Sequence, residues 1–574
     1  MKKTILLLII LLSSNLFSNV HVGIGQKYSR IELAYADKAI NPGDTVFIHA
    51  GNYSGYNGIV GLKGNANGWI VFTKYQNDSV SIAGNWQFQA CEYIKIVNLH
   101  FKATAQSPGR LINVDNNGSC NTQSRFIKFD SCTFADVTDP NSITSFKFGG
   151  VDNFEVTNCV FTNMQVSGAF DFNVCHNGII RGNRIENCLT GGHIKGGASD
   201  IVMERNIFIN ASKNGWVAFE LGGDTGAQFY CPDDKFEVKN LKFYSNLVIG
   251  GDRGISLASA TECKLINNTF YNCGQATLRF LTTSMLYPTL NANRIENNIF
   301  AFGASAYMNG GTQPANAASF SKNIYFSTIT NPFNGPYWDT PDLDAMKDKN
   351  QMNLGSSAKM FVDGKNNDFH LIESSPAIGA GASETEPLFD FYGKPFNKNT
   401  RSIGAIEFLS PSELSISTNS INLPYQANSS ATFSIKSNIT WSASSNQTWL
   451  AIDKKNGTTD DIIKITASEN TNVSPRSSTI TISGIGLNNQ YIIVNQDAGT
   501  SDVADIEYTN ILFHPNPADN YIELNSDFGF SKIEIYNPLG MKILETEYQS
   551  KLDVSKLTTG IYFLKMNDKL IKFT

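Results

Sequence analysis

A short phrase recurs along the middle of the chain, in which a small polar residue or cysteine is followed two positions later by a large apolar residue. The first position of the phrase is taken by Cys132, Cys159, Asn183, Asn206, Asn246, Asn268, Asn298 and Asn323. Successive steps are 27, 24, 23, 40, 22, 30 and 25 residues. A period in the low to middle twenties predicts a coiled stack of short parallel strands. The asparagines predict a repeated bend, where each amide bonds to the backbone and to the asparagine of the next coil.

A second family of strands precedes these positions, and in most of them apolar residues flank one polar residue. Neighbouring side chains of a strand point to opposite faces, so the apolar pair fills the coil and the polar residue faces water. The polar residues therefore predict an exposed column with one member per coil. Its predicted members are Lys147, Asp171, His193 or Lys195, Glu220, Ser256 and Arg279.

The repeat is irregular around Lys195. Counting back eleven residues from the polar position gives an apolar residue in other coils, such as Phe148 and Phe172, but gives Lys195 here. A buried lysine is costly. We therefore expect a one-residue bulge or shortening that turns Ile194 inward and leaves both His193 and Lys195 outside.

The step of 40 residues indicates an inserted loop in the same region. The loop contains Asp224, Asp233 and Asp234, and it follows the strand that carries Glu220. Long loops on a regular scaffold usually carry function. The sequence therefore predicts a functional site in this part of the chain.

Composition and the two ends of the chain restrict the class of protein. Only 17% of the 574 residues are charged and apolar residues alternate, which is typical of a mostly β protein. The net charge of −6 argues against a nucleic acid or an anionic membrane as partner. Residues 1–19 predict a secretory signal peptide, since lysines precede an apolar run that is too short to span a bilayer. No other segment approaches transmembrane length, and we expect a monomer.

Nine cysteines lie between Cys91 and Cys273, an odd number with irregular spacing. This is not the pattern of a disulfide framework, although one or two disulfides stay open. Because Cys132 and Cys159 occupy the position of the later asparagines, we expect buried thiols there.

Three segments resemble known families. Residues 20–408 resemble secreted right-handed parallel β-helix proteins of the pectate-lyase-like superfamily, with an N-terminal cap before the coils and a C-terminal cap at residues 340–408. Residues 410–499 resemble a BACON domain, an immunoglobulin-like β-sandwich thought to bind carbohydrate or mucin. Residues 508–574 resemble the C-terminal sorting domain of type IX secretion, also a small β-sandwich. The motifs are Gly23-Ile24-Gly25 and Ala50-Gly51-Asn52-Tyr53 for the first cap, Phe433, Trp441, Trp449-Leu450, Arg476 and Val494 for the BACON domain, and Pro515-Asn516-Pro517 and Gly560-Ile561-Tyr562-Phe563-Leu564 for the sorting domain.

The resemblance implies an all-β protein, a β-helix followed by two β-sandwiches, that is exported to the cell surface or the medium. The type IX machinery would be one partner and a polysaccharide or glycan the other. In the BACON domain, Trp441 and Trp449 either stack on sugars or belong to the core, and the core is the plainer interpretation.

The stretch from His193 to Phe208, with Phe219–Gly223, is loosely similar to the catalytic segment of β-helical alginate lyases. That resemblance implies that Lys195 is the base of a β-elimination on a uronate polysaccharide. Glu220 and Gly222 stand where those lyases have arginine and histidine, and Arg279 is a possible substitute. The candidate catalytic residues are Lys195, His193, Glu220 and Arg279.

Elimination requires that the uronate carboxylate be neutralised before its neighbouring proton is removed. The carboxylates of Asp171, Glu220, Asp224 and Asp233 are candidate ligands for Ca²⁺, which prefers oxygen donors. The candidate substrate-binding residues are Lys147, Asp171 and Trp216. Two alternatives stay open: a non-catalytic surface protein that adheres to glycans, and a glycoside hydrolase that uses two carboxylates.

Overall fold

A computed structural model describes residues 19–574 except for 56, 105–109, 138–143, 305–306, 310–315, 330–331, 339–347, 349–351, 353, 384, 411, 500–511, 526–531 and 568. The predicted signal peptide thus lies outside the described residues apart from Asn19, which begins the first strand. The chain divides into two compact units, Met1–Leu409 and Ser410–Thr574. No helix in the described ranges is long and apolar enough to cross a membrane.

The first unit is a parallel β-helix with three faces, which we call sheets 1, 2 and 3. Sheet 1 contains Asn57–Val60, Trp86–Gln89, Ile112–Asp115, Thr144–Asp152, Gly168–His176, Thr190–Lys195, Phe219–Gly222, Arg253–Ala258, Ala276–Leu281, Tyr307–Asn309 and Tyr337–Trp338. Sheet 2 contains Asn19–Val22, Thr45–Ile48, Ile70–Lys74, Glu92–Val97, Ser124–Asp130, Glu155–Thr157, Ile179–Arg181, Val202–Glu204, Lys242–Tyr244, Lys264–Ile266, Asn293–Glu296 and Ala318–Ser321. Sheet 3 contains Gly51–Ser54, Val80–Ala83, His100–Lys102, Thr133–Ala135, Val160–Thr162, Arg184–Glu186, Ile207–Ile209, Leu247–Ile249, Thr269–Tyr271, Ile299–Phe302 and Ile324–Ser327. Three short strands join sheets 1 and 2 at Ala198–Ser199, Val238–Lys239 and Ala260–Thr261.

Like residues stack on one another inside the coils. Phe148 pairs in register with Phe172, and their ring centroids lie 4.6 Å apart. Phe134 and Phe161 stack in the same way at 4.8 Å. All four rings are fully buried. Because burial of one such side chain contributes about 1.5–3 kcal/mol, repetition of this stack over successive coils stabilises the parallel register.

The predicted asparagine bend is confirmed, and we call its residues the asparagine ladder. The Asn206 amide donates to the Ile180 carbonyl and to Asn246 Oδ1, at 2.9 and 3.0 Å, while its backbone N–H donates to the same oxygen. The pattern repeats from Asn183 to Asn323. Cys132 and Cys159 precede the ladder as buried free thiols, as expected. Every ladder amide therefore satisfies buried backbone groups of neighbouring coils.

The ends and flank of the β-helix are covered by short elements. The helix Ile31–Ala36 buries Ile31 and Ala34 against the first coils. Three 3₁₀ turns occur at Ala227–Phe229, Ser357–Lys359 and Gly364–Asn366, and a hairpin pairs Phe361–Asp363 with Asp368–Leu371.

The segment predicted as a C-terminal cap contacts the last coil and also runs along the flank. The Asn323 backbone N–H donates to Asp348, and the Met352 N–H donates to the Tyr325 carbonyl. Further on, Met360, Ile403 and other apolar residues pack against the outer face of sheet 3 over several coils. This segment therefore buries the apolar outer surface of sheet 3.

The second unit contains two β-sandwiches, each with its own core. The first consists of Leu414–Ile416, Ser429–Ser437, Asp461–Ala467 and Leu450–Ile452 in one sheet and Ser420–Leu423, Gln490–Gln496, Arg476–Gly484, Trp441–Ser445 and Asn456–Gly457 in the other. The second consists of Leu512–His514, Tyr521–Asn525 and Lys551–Asp553 in one sheet and Lys542–Glu547, Lys532–Tyr536, Tyr562–Met566 and Lys569–Phe573 in the other. Trp441 is a core residue whose Nε1 donates to the Thr459 carbonyl, and Trp449 is partly buried beneath Arg476.

We predict that Asn246→Ala lowers the free energy of unfolding of the β-helix by about 1–3 kcal/mol, because the buried Asn206 N–H and Met203 carbonyl lose their partner. The exposed strand residue Asn52 provides the control, and Asn52→Ala should change stability by less than about 0.5 kcal/mol. Chemical denaturation of both variants measures the difference. Equal stabilities would contradict a structural role for the ladder.

Candidate functional site

The predicted column of polar residues is present on sheet 1, but Ser256 is fully buried and not exposed as predicted. The strands pair so that each member faces the next in the order Lys147, Asp171, His193, Glu220, Ser256 and Arg279. We call this the site column. A second column beside it contains Gln89, Asp115, Gly149, Asn173 and Lys195. Neighbouring strands lie about 4.8 Å apart, so each column presents one side chain at about this spacing.

The bulge expected near Lys195 is confirmed. Ile194 pairs with Phe172 and is fully buried, while His193 and Lys195 are partly exposed. Ser199 lies five positions after Ile194, whereas their partners Phe172 and His176 are only four positions apart. Gly196 and Gly197 absorb the extra residue with φ values of 67° and 93°, a backbone conformation that favours glycine.

A groove of about 870 Å³ lies over these columns. Its lining includes Arg110, Asn113, Asp115, Lys147, Gly149, Asp171, Asn173, His193, Lys195 and part of the inserted loop, Asp224–Gly226 and Gln228–Tyr230. Of the residues predicted from sequence, Lys147, Asp171, His193, Lys195 and Asp224 line the groove. The floor is lowest at Gly149, where an added Cβ would meet only Asp115 Cβ, at 3.6 Å.

Asp171 organises the centre of the groove. Its Oδ1 lies 2.9 Å from His193 Nε2 and accepts a 2.6 Å hydrogen bond from the Asn173 amide. Lys147 Nζ lies 3.4 Å from its Oδ2. Burial alone would raise the pKa of Asp171, but the hydrogen bond and charge of His193, with the charge of Lys147, hold it well below the usual range. Asp171 is therefore an ionised anchor for its neighbours.

Lys195 differs from Lys147 because no carboxylate of the described residues lies within ion-pair distance of it. Its aliphatic chain passes over Gly223, where a Cβ would approach Lys195 Cδ to 2.8 Å. The absence of a side chain at Gly223 thus makes room for Lys195 beside the groove. The result is a cation that is held in place by packing and is available to an anionic ligand.

The inserted loop, residues 224–237, forms one wall of the groove, and we call it the wall loop. The buried Glu237 carboxylate accepts hydrogen bonds from the Thr225 N–H and hydroxyl, the Gly196 N–H and the Tyr230 hydroxyl. A disulfide joins Cys231 to Cys120, which follows a strand four positions earlier in sheet 1. The wall loop therefore runs back along the sheet and is fixed at both ends.

His176 provides a third attachment. Its Nδ1 lies 2.9 Å from Asp152 Oδ1, and its Nε2 lies 3.0 Å from the Gly197 carbonyl oxygen and 3.3 Å from Asp234 Oδ1 of the wall loop. Arg125 faces the same Asp152 at 3.7 Å. Burial would lower the pKa of His176, but the hydrogen bonds to Asp152 and Asp234 raise it to about 10. The imidazole is therefore a cation at neutral pH.

Several predicted residues do not line the groove. Glu220 follows His193 in the column and is largely buried; burial raises its pKa against the opposing charges of His193, Lys195 and Arg279. Burial and the nearby Arg253 lower the pKa of Arg279, two strands further on. Trp216 is 44% exposed, and Asp233 is exposed on the wall loop.

The four carboxylates predicted to bind Ca²⁺ are not gathered at one point. Asp171 and Asp224 line the groove, whereas Glu220 and Asp233 do not. Among the described ranges, no group of three or more His, Cys, Asp or Glu side chains is arranged to hold a metal ion. Calcium binding stays a prediction.

Sequence reasoning missed Arg110, Asp115 and the Cys120–Cys231 pair. Both cysteines lie in segments rich in glycine, asparagine and proline, whereas the seven free cysteines are buried in the β-helix. This difference in sequence context could have predicted that Cys120 and Cys231 form a disulfide. Arg110 carries no comparable signal, since it lies outside the repeat.

We predict that the wall loop loosens at alkaline pH. The pKa of His176 is raised on folding, so its stabilising effect is complete below its ordinary pKa of 6.5 and is lost as pH rises through about 10. Hydrogen exchange of residues 224–237 should accelerate over this range beyond its intrinsic increase. In His176→Gln the additional pH dependence should vanish. Identical corrected profiles for the two proteins would show that His176 does not hold the loop.

Two sequence families match the C-terminal part of the chain. Residues 411–498 match the Viral BACON domain, and residues 512–574 match the Secretion system C-terminal sorting domain. No curated protein matches this chain in sequence.

Solved structures share parts of the fold. The PL6 family alginate lyase AlyGC is 12% identical, with a TM-score of 0.35 over 71% of this chain and 61% of that one. The PL6 family polysaccharide lyase Pedsa3628 from Pseudopedobacter saltans is 14% identical, with a TM-score of 0.38 over 67% of this chain and 98% of that one. PfbA, a surface adhesin of Streptococcus pneumoniae, is 13% identical, with a TM-score of 0.36 over 56% and 93%.

A shorter match joins 16% of this chain to a GH5 xyloglucanase of Bacteroides ovatus, at 21% identity and a TM-score of 0.15. The chain spans only 20% of that enzyme and 61% of AlyGC. Likeness at these identities concerns the fold alone. The chain is a parallel β-helix followed by two β-sandwiches that match a BACON domain and a secretion sorting domain, and the sorting domain indicates export through its secretion machinery.

Proposed function

We propose that this protein is an exported polysaccharide lyase that cleaves a uronate-containing polysaccharide by β-elimination, with the polymer lying in the groove on sheet 1. The observation that carries the proposal is the pair His193 and Lys195. The two residues lie on one strand and face the same side, one oriented by Asp171 and the other without an ion-pair partner among the described residues.

The charges of the groove favour an anionic polymer. The lining carboxylates are already engaged: Asp115 accepts from Asn113, Asp171 from Asn173, and Asp224 from the Met285 N–H. The positive charge of Lys195 has no such partner among the described residues that line the groove. A uronate carboxylate beside Lys195 would supply one.

Lys195 would neutralise the uronate carboxylate and so make the proton on the adjacent carbon acidic. His193 would accept that proton. The electron pair of the broken C–H bond then forms a double bond to the next ring carbon, and the bond from that carbon to the glycosidic oxygen breaks. The oxygen leaves with the other half of the chain and takes a proton from water. The products are an unsaturated uronate and a new chain end.

The tautomer of His193 suits this role. A neutral imidazole whose Nε2–H donates to Asp171 carries its lone pair on Nδ1, where it can accept a proton. The ionised Asp171 then stabilises the imidazolium that forms. This assignment gives Lys195 a charge-neutralising role in place of the base implied by the family resemblance.

Glycoside hydrolysis receives less support. It needs two carboxyl groups that flank the scissile bond. Asp171 is already bound by His193, Asn173 and Lys147, and Glu220 does not line the groove.

We predict that wild-type protein generates unsaturated uronates, measured by ultraviolet absorbance, from at least one polymer in a panel of uronate-containing polysaccharides. Lys195→Met should lower kcat/KM by at least about 100-fold because the neutralising charge is lost. Lys195→Arg should stay within about 10-fold of wild type because the charge is kept. His193→Gln should lose about 10²–10⁴-fold, as expected for removal of a base.

Lys239→Met is the matched control, since Lys239 pairs with Glu262 and does not line the groove. If Lys195→Arg were as inactive as Lys195→Met while His193→Gln stayed active, Lys195 would be the base. If folded wild-type protein released neither unsaturated uronates nor reducing ends, the lyase proposal would be wrong. Retention on a polysaccharide column would then favour the glycan-binding alternative.

A second prediction concerns the floor of the groove. Gly149 has no positive φ, and a Cβ there makes an ordinary 3.6 Å contact, so Gly149→Leu should fold normally while its side chain fills the groove. We expect KM for the polymer to rise at least about tenfold, since the blocked volume is that of the bound chain. Unchanged KM in a folded variant would place the polymer elsewhere.

A further inference from the structure

We infer that the groove selects polymers in which uronates are spaced by uncharged, hydroxyl-rich sugars, and not polymers of uronate alone. This inference rests on the proposed function and names its substrate class. It depends on which polar groups of the groove are already used by the protein and which are left for a ligand.

Asp115 orients a set of side-chain amides at one end of the groove, where Asn113 lines the groove and Gln87 and Gln89 lie on the next strand outward, beyond its lining. Its carboxylate accepts hydrogen bonds from the amide nitrogens of Gln87, Gln89 and Asn113, at 3.0, 3.0 and 2.7 Å. The Asn117 backbone N–H adds a fourth, at 2.8 Å. Because a carboxylate only accepts hydrogen bonds when ionised, each amide must turn its nitrogen toward it.

The same device recurs in the centre of the groove, where Asn173 donates its amide nitrogen to Asp171. The carbonyl oxygens of Gln89, Asn113 and Asn173 therefore point away from the carboxylates that hold the nitrogens. These oxygens are hydrogen-bond acceptors, and sugar hydroxyls are suitable donors for them. The two carboxylates act here by orienting amides.

Free positive charge is sparse by comparison. Of the described cations that line the groove, Lys147 pairs with Asp171, while Arg110 and Lys195 have no carboxylate within ion-pair distance. Arg110 precedes the strand Ile112–Asp115, which is three strands from that of Lys195. Three strand spacings are about 14 Å along the β-helix.

A polymer with a carboxylate on every sugar would place negative charge against acceptor groups between these two cations. The groove-lining residues at those levels include Asp115, Asp171 and Asn173, which offer negative charge or an amide oxygen, and Lys147, whose charge is paired with Asp171. Beyond His193 the site column continues with Glu220, another carboxyl group, which does not line the groove. Repulsion between like charges disfavours binding of a ligand. The groove is therefore suited to a polymer whose negative charges are spaced apart.

The experiment compares two groups of polymers of similar length. One group contains uronate alone, such as polymannuronate, polyguluronate and polygalacturonate. The other alternates uronate with an uncharged sugar derivative, such as hyaluronan and unsulfated chondroitin. We expect kcat/KM at least about tenfold higher for the best alternating polymer than for the best homopolymer. An equal or reversed ratio would overturn the inference while leaving the lyase proposal intact.

Binding is measured separately by calorimetry with the same polymers. If no polymer were cleaved but alternating polymers bound at least about tenfold tighter, the lyase proposal would fail and the inference would stand. Tighter binding of homopolymers, or equal binding of both groups, would overturn the inference.

One substitution tests the amide acceptors directly. Gln89→Met keeps the length of the side chain and removes its carbonyl oxygen, so affinity for an alternating polymer should fall about three- to tenfold. Affinity for homopolymers should stay the same or rise. Gln447→Met, at an exposed position of the BACON domain, is the matched control. Equal losses for both groups of polymers would show that Gln89 supports the fold and does not select the substrate.

Discussion

The asparagine ladder is the constraint on which the rest of the β-helix depends. Each buried amide binds a carbonyl of the preceding coil and the side chain of the next asparagine, so consecutive coils are held in one register even though their lengths range from 22 to 40 residues. Extra residues must therefore leave the coil as loops. The site column stays aligned across the insertion because the ladder on the opposite side of the coil is continuous.

The wall loop is an insertion that the asparagine ladder allows, because it leaves the coil without changing the register of the strands. An insertion into a coil would ordinarily be mobile, but Glu237, the Cys120–Cys231 disulfide and the His176–Asp234 pair fix it at separate points. Removal of one partner from such a buried charged contact is costly, since the other is left unsatisfied. One wall of the groove is therefore formed by a loop that the protein attaches at three points.

The sequence was sufficient for the parts of the structure that repeat. The period predicted the coils, alternation predicted the site column, and the cost of burying Lys195 predicted the bulge that the two glycines form. It was insufficient for contacts between loops. Cys120 and Cys231 are 111 residues apart, and the amides around Asp115 meet only because two coils stack. Such contacts depend on where loops leave the coil, and the spacing of the sequence repeat does not predict those positions.

The carboxylates of the site have one property in common. Asp115, Asp171 and Glu237 are each surrounded by hydrogen-bond donors from the protein. Their hydrogen bonds orient amides, an imidazole and a loop. A carboxyl group whose oxygens already accept several hydrogen bonds is a poor metal ligand, because a metal ion would have to displace those hydrogen bonds. The groups available to react with a substrate are then those that the carboxylates leave exposed. These are His193, whose orientation Asp171 sets, and Lys195, which no carboxylate in the described lining neutralises.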